Sequence, residues 1–175
     1  MKAEHVFVLS AVGLGTWIFL RAGEASASVK PNRTVRAYLK SPSGFTYPDR
    51  AAPYLPLADA ADRAYSLPTG TMASLLYQES RYRQDIISGR TVSRANAQGI
   101  AQIVPKWHPG VDVLDPTESI DYAASYLRKM MDQFGTLELG LAAYNWGPGN
   151  LKNKGWENRP SETRNYVDQI TERIA

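Results

Sequence analysis

The chain has 175 residues, 43% of them hydrophobic and 21% charged, which suits one globular domain of ordinary size with an appended segment. It has no cysteine and two histidines, His5 and His108, and His5 lies at the start of an apolar leader. Thiol nucleophiles, thiolate metal sites and disulfides are thereby excluded, and no His-based triad, metal or cofactor is expected. A formal net charge of +3 falls short of a nucleic-acid-binding balance, so no nucleic-acid partner is expected and the chemistry must come from carboxylates, hydroxyls and amides.

Residues 6–20, VFVLSAVGLGTWIFL, form an uncharged apolar run after Lys2, and Ala25 and Ala27 follow in an A-x-A arrangement. Residues 1–27 read as a signal peptide cleaved after Ala27 or as an N-terminal membrane anchor; the run fits targeting better than a core helix. Residues 28–56 carry Pro31, Pro42, Pro48, Pro53 and Pro56, with Lys30, Arg33, Arg36, Lys40 and Arg50 against the single acid Asp49. This composition is that of an extended, basic, proline-rich linker.

From Leu57 the pattern becomes helical, first through LADAADRAYSL and, after a break at Pro68 and Gly70, through TGTMASLLYQES. A long helix follows in DPTESIDYAASYLRKMMDQFG: Asp115 can cap it, Pro116 takes the first helical position, and Glu118 can complete a capping box. Its apolar stripe is Ile120, Ala123, Ala124, Leu127, Met131 and Phe134, and Gly135 ends it. Thr136 can cap the next helix, LELGLAAYN, whose small residues invite close packing and which Gly147 and Pro148 terminate. A last helix runs from near Ser161, with Tyr166, Ile170 and Ile174 four apart on one face. An alternating pattern appears only briefly, around Thr91 to Val104. The expected class is all-α or mainly α, with at most a minor β excursion.

Glu79 falls at the next position of the helix stripe formed by Met72, Leu75 and Leu76. A carboxylate projected from an apolar face loses hydration, and its pKa rises toward the value of a general acid near neutrality. Taken with this helix alone, the pattern is better met by a Glu that bends out to water from a fraying C-terminus. Downstream of Glu79-Ser80 come Gly99-Ile100-Ala101-Gln102, then Ala143-Tyr144-Asn145-Trp146-Gly147, then Glu162-Thr163-Arg164-Asn165-Tyr166-Val167. In this order, with DPTESIDYAASYLRKMMDQFG between the second and third motifs, the set resembles the soluble lytic transglycosylase family. The resemblance covers about residues 57–175 and differs from the usual pattern at Ala101, at Trp146 and in a longer segment from Arg81 to Gln98.

The resemblance implies a lysozyme-like helical domain over 57–175 that cleaves peptidoglycan glycan strands. By position, Glu79 matches the single catalytic acid. Ser80, Gln102, Tyr144, Asn145 and Tyr166 match residues that hold the substrate or polarise that acid. The expected product is a 1,6-anhydroMurNAc end, formed without water because the sugar's own acetamide replaces a second carboxylate. The alternatives are a hydrolytic muramidase on the same fold and a catalytically idle wall-binding assembly protein. The leader would place the domain in the cell envelope or periplasm, either soluble or anchored in the inner membrane. A virion location, with secretion, conjugation or virion components as partners, is the other expectation.

Overall fold

The computed structural model describes residues 39–175, so the leader and residues 28–38 of the expected linker lie outside the described residues. Among the described residues seven α-helices follow a 3-10 turn at Asp49–Ala51: α1 (Leu55–Ala64), α2 (Thr71–Ser80), α3 (Gln84–Ile87), α4 (Pro116–Phe134), α5 (Leu137–Trp146), α6 (Pro148–Lys154) and α7 (Ser161–Ile174). Isolated antiparallel bridges, Lys40 with Thr46 and Gln98 with Ile103, are the β structure found there. No helix among the described residues is long and apolar enough to cross a membrane.

Residues 39–56 depart from the extended linker expected of them. Leu39, Tyr47, Ala51 and Leu55 are buried in the core of the domain. Tyr47 donates or accepts a 2.8 Å hydrogen bond with Ser74 on α2, and Tyr54 stacks on Tyr82 at 5.9 Å. Four prolines, Pro42, Pro48, Pro53 and Pro56, punctuate this stretch, but its apolar and aromatic side chains supply the burial that holds it. The packed body therefore begins no later than Leu39.

Helix α2 shows how one element is built by another. Its first turn has no side-chain cap of its own, because Gly70 occupies the N-cap position. Asp62, buried near the end of α1, fills that role by accepting from the Gly70 and Met72 backbone N–H groups at 2.8 and 2.9 Å. Burial nevertheless pushes the Asp62 carboxyl up to about 7 against the pull of those donors. Met72, Leu75 and Leu76 are fully buried, which fixes the face of α2 and hence the direction of Glu79.

The long helix α4 begins as its sequence predicts, with the Asp115 side chain accepting from Glu118 N at 2.9 Å. The reciprocal half of the capping box goes elsewhere: Glu118 Oε1 accepts from Asp112 N, and Asp115 N donates to Asp112 Oδ1. Met130 is buried in place of the expected Met131. The small residues of α5 have a concrete use, since a Cβ at Gly140 would lie 2.7 Å from Met131 Cγ and 3.2 Å from its backbone N. Gly147 and Pro148 end α5 as expected, but Pro148 also opens α6 as its first residue.

Candidate active site

Helices α2 and α7 pack in opposite directions. A methyl at Gly70, before α2, would meet Ile174 at 3.4 Å, and at the other end of α2 the Glu79 side chain meets Tyr166. The stripe of Met72, Leu75 and Leu76 forces this, because turning Glu79 to open water would bring those three out of the core. Tyr166 in turn is held by Val167 and Ile170, all buried on the inner face of α7.

The Tyr166 hydroxyl donates to Glu79 Oε1 at 2.6 Å. Glu79 is half-buried, and loss of hydration pushes its carboxyl up to about 7. The Tyr166 hydrogen bond pulls the other way, and the negative charge of Glu162 adds a smaller upward push. Burial, assisted by the charge of Glu79, drives the Tyr166 and Tyr144 phenols well above their ordinary range. Both tyrosines therefore remain neutral hydrogen-bond donors throughout the range in which Glu79 titrates.

The remaining predicted residues are arranged around this pair. Tyr144, from the last turn of α5, donates to Ala101 O at 3.0 Å and so ties the Gly99–Gln102 turn to the helix. Asn145 Oδ1 accepts from Thr163 Oγ1 at 2.8 Å, which joins α5 to the first turn of α7. Gln102 sits at a φ of 50° and donates from Nε2 to Gly99 O at 3.1 Å, so its amide closes its own turn. The structure thus joins Glu79 directly to Tyr166, brings Tyr144 within the field of Glu79, and sets Asn145 beside Tyr144 at the end of α5 and Gln102 in the turn to which Tyr144 donates.

Ser80 differs from the expected substrate-holding hydroxyl. It is fully buried, donating to Leu76 O at 3.0 Å and accepting from Tyr82 N at 3.2 Å. The donated bond ties the hydroxyl to α2 and the accepted one to the left-handed turn at Arg81 and Tyr82, where φ is 51° and 55°. Its contribution is to end α2 sharply beside Glu79. Two neighbours escaped the sequence reading as functional residues: Thr163, the partner of Asn145, and Glu162, four residues before Tyr166. The helical spacing of Glu162 and Tyr166 within the ETRNYV stretch was the available signal.

Gly99 has a steric role that can be tested. Its φ is 72°, and a Cβ there would fall 1.7 Å from the carbonyl oxygen of Val113. Gly99→Ala must displace the backbone of the turn that carries Ala101 and Gln102. We expect it to lower stability by about 2 kcal/mol or more, seen as a reduced urea midpoint. An unchanged midpoint would show that the turn does not pack this way.

Residues 56–167 match the family model described as "Transglycosylase SLT domain". A protein named "Transglycosylase" from Enterobacteria phage PRD1 is 29% identical over 118 residues, which are 66% of this chain and 40% of that protein. Among solved structures, an inactive glutamate-to-glutamine mutant of the lytic transglycosylase Slt from Pseudomonas aeruginosa aligns with a TM-score of 0.55 at 22% identity. That alignment covers 67% of this chain and 22% of the Slt chain, and it shows a shared all-α, lysozyme-like fold. The chain spans less than half the length of either protein.

Proposed function

The chain belongs to the transglycosylase SLT domain family, and from that membership we propose that it is a lytic transglycosylase cleaving the β-1,4 bond between MurNAc and GlcNAc in peptidoglycan. The observation that carries this reading is the 2.6 Å hydrogen bond from Tyr166 to a half-buried Glu79 whose carboxyl is pushed up to about 7. A carboxyl so placed is substantially protonated at neutral pH and can donate.

In this reading Glu79 gives its proton to the glycosidic oxygen, and the bond from that oxygen to C1 of MurNAc breaks. The acetamide oxygen of the same sugar supports the positive charge at C1, in the place of a second carboxylate. Glu79, now a carboxylate stabilised by the Tyr166 hydroxyl, takes the proton from the C6 hydroxyl. O6 then closes on C1, giving a 1,6-anhydro end and a free GlcNAc 4-hydroxyl, with Glu79 protonated again and no water consumed. Ser80 positions Glu79 by ending α2, while Gln102, Tyr144 and Asn145 line the cleft.

One observation favours a second reading, hydrolysis. The charge of Glu162 acts on Glu79, which makes Glu162 the second carboxylate to test in the water-orienting role that hydrolysis requires. Products separate the two, because an anhydro end is lighter than a hydrolysed end by one water. We expect Glu162→Gln to retain activity within about threefold and to yield anhydro ends still, as a carboxylate four residues from Tyr166 acts only through its charge. Loss of about 100-fold or more, with reducing ends from the wild type, would make Glu162 the base of a hydrolase. A catalytically idle wall binder is disfavoured by the pairing of a desolvated acid with a tyrosine donor.

We further propose that residues 1–27 direct the domain to the cell envelope, as a cleaved leader or an anchor, and that residues 28–38 form a short basic tether. The phage relative supports a virion-associated role as the alternative. Fractionation with N-terminal sequencing distinguishes these: Ser28 as first residue means cleavage, Met1 in the membrane means anchoring, and full-length chain in particles means a virion component.

A further inference from the structure

Trp107 is 69% exposed, against 41% for Val92 and 42% for Leu114, the other large hydrophobics exposed among the described residues. A single exposed apolar side chain is ordinary. This one directly precedes, in the chain, His108, the last of a row of rings that starts at the candidate active site. Tyr144, in the field of Glu79, meets Tyr126 edge-on at 5.8 Å, and Tyr126 meets His108 at 5.0 Å and 81°. Tyr122, one helical turn before Tyr126, lies nearly parallel to it at 9° and accepts or donates a 2.7 Å hydrogen bond with His108 Nδ1. Tyr144, Tyr126, Tyr122 and His108 are each only half-buried, so the row is a surface and not part of the sealed core.

The turn that presents Trp107 is held in advance. Trp107 N donates to Val104 O at 3.0 Å, His108 N donates to Pro105 O at 3.2 Å, and Pro105 and Pro109 flank the pair. A backbone held this way loses little freedom when a ligand covers the turn. Lys106 places its ammonium 4.8 Å from the Trp107 ring centroid, so a flat apolar surface and a cation lie side by side in the turn that carries His108.

We propose that Trp107 and Lys106 form an outer subsite that extends the cleft along the glycan strand, with a sugar ring stacked on Trp107 and a stem-peptide carboxylate paired with Lys106. The proposal rests on the peptidoglycan reading above. The apolar C–H face of a pyranose matches an indole face, and a peptide-bearing glycan presents that face and a carboxylate at neighbouring positions. The ring contacts that run from Tyr144 to His108, next in the chain to Trp107, favour a polymer running from the acid over a lipid surface. An interfacial Trp-Lys pair is also what a membrane-binding loop would carry, so vesicles form the competing arm of the test.

The test uses the full chain and three substrates: intact peptidoglycan, glycan strands stripped of peptide, and fragments of two disaccharide repeats. Trp107→Ala should weaken sedimentation with intact and stripped strands by about 30-fold and raise KM on them, with kcat unchanged. Short fragments, which do not reach the outer subsite, should be cleaved as by the wild type. Trp107→Phe should recover most of the affinity, which a folding defect would not allow. Lys106→Gln should weaken binding to peptide-bearing strands severalfold and leave stripped strands unaffected.

Equal binding by wild type and Trp107→Ala on all strands would overturn the subsite while leaving the enzyme reading intact. So would loss of binding by Trp107→Ala to vesicles of anionic phospholipid with wall binding preserved. A wild type that neither sediments with nor cleaves peptidoglycan would overturn the enzyme reading, and the subsite with it.

Discussion

Glu79→Gln is expected to lower the release of soluble muropeptides from purified peptidoglycan by about 100- to 10,000-fold, with the variant still sedimenting with the wall. Gln keeps the volume of Glu and an oxygen that can accept from Tyr166, so the 2.6 Å contact has a replacement, but the amide cannot supply or take back a proton. Stability gives an independent reading of the same carboxyl. The folded pKa of Glu79, about 7, lies above the ordinary value of 4.5, so the folded state holds the proton more tightly. Its contribution is fully present below about 4.5 and is lost as pH rises through about 7, a difference of at most about 3 kcal/mol. At pH 8 the Gln variant should therefore melt higher than the wild type, and at pH 4.5 the two should agree. Because Asp62 is shifted in the same direction, the variant should retain part of the acid-side stabilisation. Turnover by the variant equal to wild type would overturn the assignment of Glu79. A lower melting temperature at pH 8 would show instead that the carboxylate is welcomed where it sits.

Five helices were legible because local rules and tertiary packing agree in them. α4 has a capping aspartate, a proline at its first position and an apolar stripe, and α5 has Thr136 before it and Gly147 after it. Elements that depend on distant partners were less legible. No pattern within TGTMASLL announces that Asp62, eight and ten residues before its two acceptor contacts, caps α2. The stretch 39–56 has the composition of a linker because Pro42, Pro48, Pro53 and Pro56 break it up, so that Tyr47, Ala51 and Leu55, although four residues apart and buried, do not form the stripe of one helix. α6 was missed because Pro148 after Gly147 reads first as a stop, although proline is equally at home as the first residue of a new helix.

The site divides along the same line. Motif order pointed to Glu79 and Tyr166, and helix periodicity put both on inner faces, so their meeting required only that α2 and α7 pack together. A motif does not report where a hydroxyl sends its hydrogen bonds, and the buried Ser80 hydroxyl donates to Leu76 O within α2 and accepts from Tyr82 N in the turn that follows. The ring row escaped for a related reason. His108 is separated by 14 residues from Tyr122, and only the return of the chain through the 104–114 loop sets one against the other.

The pH dependence of turnover should follow the protonation of Glu79, which must hold a proton to begin the reaction. With its pKa at about 7, the protonated fraction falls tenfold per pH unit on the alkaline side, so kcat/KM should drop about 50-fold between pH 7 and pH 9. The two neighbours of Glu79 should move this limb in opposite directions. The Tyr166 hydroxyl favours the carboxylate by donating to it, so Tyr166→Phe should raise the pKa and carry the limb upward by on the order of one unit, above a lower plateau. The charge of Glu162 disfavours the carboxylate, so Glu162→Gln should carry the limb downward by a few tenths of a unit. Loosened packing around α7 could lower both plateaus but would not separate the limbs with opposite signs. Profiles measured from pH 5 to 9 on one peptidoglycan preparation decide the matter. A limb unmoved in both variants, or moved the same way in both, would mean that the titrating group in catalysis is not Glu79.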